Sequence, residues 1–85
     1  MEKEIILNQL WDLAERLAIQ IRRENLDGQA GGLCRLGEKW VFFIDNHASQ
    51  TEQIAQIAAG LASRDDLDDI FILPQIRDVL EQYRE

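Results

Sequence analysis

One stretch of this chain changes from helix chemistry to β chemistry, and it constrains the fold more than any other: Gly31-Gly32-Leu33-Cys34-Arg35-Leu36-Gly37-Glu38-Lys39-Trp40-Val41-Phe42-Phe43-Ile44-Asp45. Two short β-type runs flank Gly-Glu-Lys, a connection of hairpin length. With Gly37-Glu38-Lys39 as the turn, Cys34 lies across from Phe42. Side chains alternate along a strand, so Cys34 and Leu36 share one face while Leu33 and Arg35 share the other. In the second strand Trp40, Phe42 and Ile44 point one way and Val41 and Phe43 the other. All five are apolar, whereas a half-exposed strand alternates apolar with polar. Either helices cover both faces, or something outside the chain covers one. A lone two-stranded ribbon is marginal in water, so three helices must wrap it or a second copy must extend it.

The helices are readable from periodicity. Over residues 3–23, Ile6, Leu7, Leu10, Trp11, Leu13, Ala14, Leu17, Ala18 and Ile21 fall within an arc of roughly 160° at 100° per residue. This predicts one long amphipathic helix. Ile5 and Ile19 land on its polar side, where isolated apolar residues are ordinary. Residues 25–32 read as a loop in which Asp27-Gly28 and Gly31-Gly32 supply turn positions of positive φ. Those glycines lead into a strand and no Lys-Ser/Thr follows them, so they make no phosphate cradle. Ser49-Gln50-Thr51-Glu52 is a capping box and starts a second helix at Gln50. Its core stripe is Ile54, Ile57, Ala58 and Leu61. Ala55, Ala59 and Ala62 beside the stripe leave room for another backbone, and the helix ends near residues 63–64. An acidic connector, residues 65–69, leads into Ile70-Phe71-Ile72-Leu73. Pro74 biases its predecessor away from helix, which favours an extended segment or a short third strand. Pro74 then suits the first turn of a last helix carrying Ile76, Val79, Leu80 and Tyr83.

These elements give an α+β fold, a single small domain over residues 1–85 ordered helix–β-hairpin–helix–(short strand or extended segment)–helix. A chain of 85 residues buries only roughly 60–65% of its unfolded surface, so its core is thin, and oligomerisation is a common remedy. Sixteen acidic and nine basic residues give a net charge of −7. The bases are scattered, which argues against nucleic acid and anionic membrane surfaces as partners. One cysteine forms no internal disulfide, so no oxidising compartment is needed. The first residues lack the marks of a secretory signal and no apolar run reaches membrane-spanning length, so a cytoplasmic protein is expected.

Candidate chemistry is sparse. Cys34, Asp45 and His47 are the only mixed ligand set close in sequence. Cys34 lies on the partner strand well short of His47, so no shared metal site is expected. Cys34 reads as a buried small hydrophobe and His47 as a loop residue. The acidic connector lacks the spacing of a calcium loop. No nucleophile–base pairing is evident, and the helix after the hairpin carries no His-Glu-x-x-His. Neither a cofactor nor catalysis is expected. Arg35 is a lone charge in an apolar strand. It reads as an edge charge against aggregation, or as an ion-pair or anion contact at an interface.

The string Gly31 to Leu36, the apolar strand ending in Asp45, the helix start at Ser49 to Glu52, and Leu67-Asp68-Asp69-Ile70 through Leu73-Pro74-Gln75-Ile76-Arg77 resemble a group of small bacterial proteins without an established activity. The similarity covers roughly residues 28–84. It implies a bacterial, cytosolic, free-standing small protein and carries no mechanism. The expected function is a non-enzymatic interaction protein that self-associates, with a dimer favoured, or that binds another protein. The alternative is a small-molecule or metal-binding module at the hairpin. Candidate interface or ligand contacts are Cys34, Arg35, Trp40, Phe42, Asp45 and His47.

Overall fold

The computed structural model describes residues 2–27, 31–64, 67 and 69–83. It shows an α+β domain with helix α1 (Lys3–Arg16), strands β1 (Ile19–Glu24), β2 (Gly32–Leu36) and β3 (Lys39–Asp45), then helices α2 (Gln50–Ala62) and α3 (Pro74–Gln82). The sheet is mixed and ordered β1-β3-β2. β3 occupies the centre, parallel to β1 and antiparallel to β2. The central place suits its sequence, because five successive apolar residues find partners on both edges.

The helix expected over residues 3–23 is two elements. Only Lys3–Arg16 is helical. Ala18 takes a positive φ of 60°, which is costly for an L-residue and stops the helix. The chain then reverses into β1, whose Ile-Gln-Ile-Arg alternation gives Ile19 a buried position and Gln20 an exposed one. Ile19, placed on a polar helix face by the longer reading, is 2% exposed. Leu17, Ala18 and Ile21 fit a helical arc whereas Leu17, Ile19 and Ile21 fit a period-2 pattern, and pairing with apolar β3 decides between them.

The hairpin turn is Gly37-Glu38, one residue shorter than expected, so Leu36 pairs with Lys39 and Cys34 pairs with Val41 instead of Phe42. Gly37 has φ 66°. Glycine with positive φ at the first central position is the type II′ pattern that fits strand twist.

The other elements follow their local chemistry. Ser49 accepts from the Glu52 amide at 3.2 Å, so α2 begins where the capping box places it. α2 buries Ile54, Ile57, Ala58 and Leu61. A close approach occurs at Gly60, where an added Cβ would lie 2.5 Å from Phe42 Cε1. Pro74 opens α3, which buries Ile76 and Leu80. Residues 71–73 form no strand; the third strand of the sheet is β1. Gly28 and most of the acidic connector (Asp65, Asp66 and Asp68) lie outside the described residues. No helix among the described residues is long and apolar enough to cross a membrane.

The core sits between the sheet and the helices. Leu7, Leu10, Leu13 and Ala14 of α1 meet Ile54, Ile57, Ala58 and Leu61 of α2, with Ile19, Phe42 and Ile44 as the sheet's contribution. Arg23 stacks 3.6 Å over the Trp11 ring and seals the layer at the β1 edge. Trp40 lies partly buried against the core, and the guanidiniums of Arg35 and Arg64 lie 6.0 and 5.3 Å from its ring.

Candidate interaction surface

Among the described residues the helices lie over one parity of β3. Phe42 and Ile44 are both 0% exposed, under the helices. Residues 39, 41, 43 and 45 face the other way, where no helix lies among the described residues. Register defines the rows of this open face. Leu36 and Lys39 share one row, then Gln20, Val41 and Cys34, then Arg22, Phe43 and Gly32, and lastly Glu24 and Asp45. Val41, at the centre, is only 2% exposed. Phe43 is half-buried, Cys34 is exposed and Leu36 is 51% exposed. Arg22 lies 5.7 Å over the Phe43 ring and pairs with Glu24 at 3.0 Å. Both ion-pair partners are more than 40% exposed, so this pair orders the row more than it stabilises the fold.

The sequence-predicted residues scatter across this architecture. Cys34, expected to be buried, is exposed on the open face, because β2 is an edge strand and its even side meets no helix among the described residues. Phe42, named as a contact candidate, is fully buried and available to nothing outside the chain. Trp40 faces the helical layer. Arg35 is exposed, and its Nε donates to the Gly37 carbonyl at 3.0 Å, so it braces the hairpin turn. Asp45 Oδ1 accepts from the His47 amide at 3.0 Å, an Asx turn that leads β3 toward α2. His47 is an exposed turn residue. No three His, Cys, Asp or Glu side chains among the described residues converge to hold a metal ion.

Sequence reasoning missed the residues that dominate the open face: Phe43, Leu36, Lys39, Arg22 and Glu24. The alternation of β3 did separate the two parities. Without β1 as a strand, however, nothing indicated which parity the helices would cover.

A second apolar feature lies between α1 and residues 71–73. A cavity of about 180 Å³ is lined by Leu13, Arg16, Phe71, Ile72 and Ile76. Phe71 is 73% exposed at its rim, and its carbonyl accepts from Arg16 at 3.3 Å. The volume falls below the roughly 300–1,000 Å³ typical of small-molecule sites.

Comparison with protein-family models, with curated proteins and with solved structures finds no match to this chain. Function must therefore be argued from the surface itself.

Proposed function

We propose that this protein is a small non-enzymatic interaction protein of the bacterial cytoplasm that self-associates, as a dimer, through the sheet face of its hairpin. One observation carries the reading: among the described residues helices cover a single face of the apolar central strand, and the opposite face presents Cys34 and Leu36 outward beside a partly exposed Phe43. Adjoining exposed apolar side chains on one sheet face are the kind of surface that marks a contact site. Thin cores of this size also gain from association. The non-enzymatic part rests on the hydroxyls and imidazole. Ser49 is engaged in its cap and Ser63 donates to the Gly60 carbonyl at 2.7 Å. His47 sits exposed on a turn. Sedimentation equilibrium over a concentration series tests the proposal. A mass rising toward twice the monomer supports it, and a strict monomer at high micromolar concentration overturns it.

A second reading has one observation in its favour: Arg35 and Arg64 converge on Trp40 beside the hairpin. Two guanidiniums near one ring suit an anionic small molecule. Thermal shift against inorganic phosphate, sulfate and small carboxylates checks it; the absence of any shift across the panel removes it.

A further inference from the structure

We infer that two copies pack open face to open face with their β3 strands antiparallel, so that Lys39 of each copy meets Asp45 of the other. This inference rests on the self-association proposed above and specifies its geometry.

A closed dimer of identical chains is isologous: each surface patch meets itself through a two-fold axis. Face-to-face sheets keep their strands within about 30° of one another. The axis therefore runs either along the strands or across them. An axis along the strands stacks each row on its own copy. Lys39 would then face Lys39 and the Glu24–Asp45 row would face itself. Like charges set opposite each other disfavour that docking. An axis across the strands reverses the rows, so Lys39 lies over Asp45 of the second copy, twice.

The remaining rows agree with the second choice. β1, β2 and β3 share one register, in which Ile21, Phe42 and Leu33 align. An axis over that line sets Val41 against Phe43, Gln20 against Arg22, and Cys34 against Gly32 of the other copy. Val41 is already covered in the single chain, so the apolar surface gained on the central strand is the exposed part of Phe43, and the exposed Cys34 meets a glycine with no side chain. Phe43, partly exposed in the single chain, becomes fully covered. At the corners the sheet twist offsets Lys39 from Asp45, and its flexible four-carbon stem spans the offset.

The size of the face sets the expected strength. Three strands and four rows span roughly 14 by 20 Å, well under the ~800 Å² per partner of a standard interface. The dimer is weak and reversible, and salt screens its ion pairs.

Charge reversal tests the arrangement by sedimentation equilibrium of the full chain at low salt. Lys39→Glu and Asp45→Lys each replace two attractions with two repulsions, and each is expected to weaken dimerisation about tenfold or more. The double variant K39E/D45K restores complementarity in the antiparallel arrangement and is expected to recover it. Asp45 also holds the Asx turn, so Asp45→Asn serves as the variant that keeps the turn and removes the charge. It should weaken association several-fold with an unchanged circular dichroism spectrum. A wild-type dimer that is indifferent to Lys39→Glu and Asp45→Asn overturns this geometry and leaves self-association standing. A wild type that is strictly monomeric overturns both. Rapid Cys34–Cys34 disulfide formation under mild oxidation also overturns the geometry. Sheets packed about 10 Å apart hold those thiols too far apart, whereas edge pairing through β2 brings them together.

Discussion

Phe42 and Phe43 are neighbours in the chain, in one central strand, with opposite environments. Phe42 is 0% exposed and meets α2 so closely that residue 60 has no room for a Cβ. Phe43 is partly buried, with Arg22 lying 5.7 Å over its ring. The difference comes from strand parity and from where the chain places its three helices. All of them pack into one core with the even side of β3. Composition does not distinguish the two faces, and neither would hydropathy of β3 taken alone. Stability resides on one side and surface chemistry on the other, so substitutions on the two sides should separate cleanly.

The largest separation is expected at Phe42. Phe42→Ala leaves a cavity at the centre of the core and should cost about 3–5 kcal/mol. The whole domain is worth on the order of 4–13 kcal/mol at this length, so urea titration should show a transition at far lower denaturant or none. A loss below about 1 kcal/mol would mean that the even face is not the core.

Gly60→Ala comes next. The new Cβ meets Phe42 Cε1 at 2.5 Å, and Phe42 is enclosed on every side, so neither can yield. Overpacking of about 1–3 kcal/mol is partly offset by about 1 kcal/mol of helix propensity. The net expectation is a loss of roughly 1 kcal/mol. In a Phe42→Leu background the clash goes and the propensity gain remains, so Gly60→Ala should become neutral or stabilising. Equal effects in both backgrounds would show that Gly60 and Phe42 do not touch.

Phe43→Thr is the matched substitution on the open face. Threonine is β-branched and favours strands as phenylalanine does, and Phe43 is only partly buried, so unfolding free energy should fall by about 1 kcal/mol, well short of the loss at Phe42. Self-association should weaken markedly in the same sample. A stability loss as large as that of Phe42→Ala would abolish the distinction between the faces.

The residues that were legible in the sequence were those governed by short-range chemistry. Ser49 and Glu52 fix the start of α2 through one side-chain bond, and Pro74 fixes the start of α3. The parity of β2 and β3 follows from alternation alone. What escaped depends on distant partners. Cys34 looked buried by residue type, but its exposure is set by β2 lying at the sheet edge with no helix among the described residues over its even side. The hairpin turn shifted by one residue because Gly37 supplies positive φ at the first central position, leaving Lys39 free to pair. β1 was hidden most deeply, since residues 17–23 fit a helical arc and only the need of β3 for a second neighbour makes them a strand.

Ala18 is where that ambiguity is resolved, and it gives the smallest and most discriminating prediction. Its φ of 60° costs an L-residue roughly 1–2 kcal/mol, while glycine adopts it freely. Ala18→Gly removes that strain but also loosens the unfolded chain, by about 0.4–1 kcal/mol. The balance is a gain of roughly 0.5 kcal/mol. If residues 17–23 instead continued α1, the same substitution would place glycine inside a helix and cost about 1 kcal/mol. The sign alone therefore decides whether β1 exists. Without β1 the central strand would lose its parallel neighbour, Ile19 would leave the core, and the open face would lose the Gln20, Arg22 and Glu24 side of its rows.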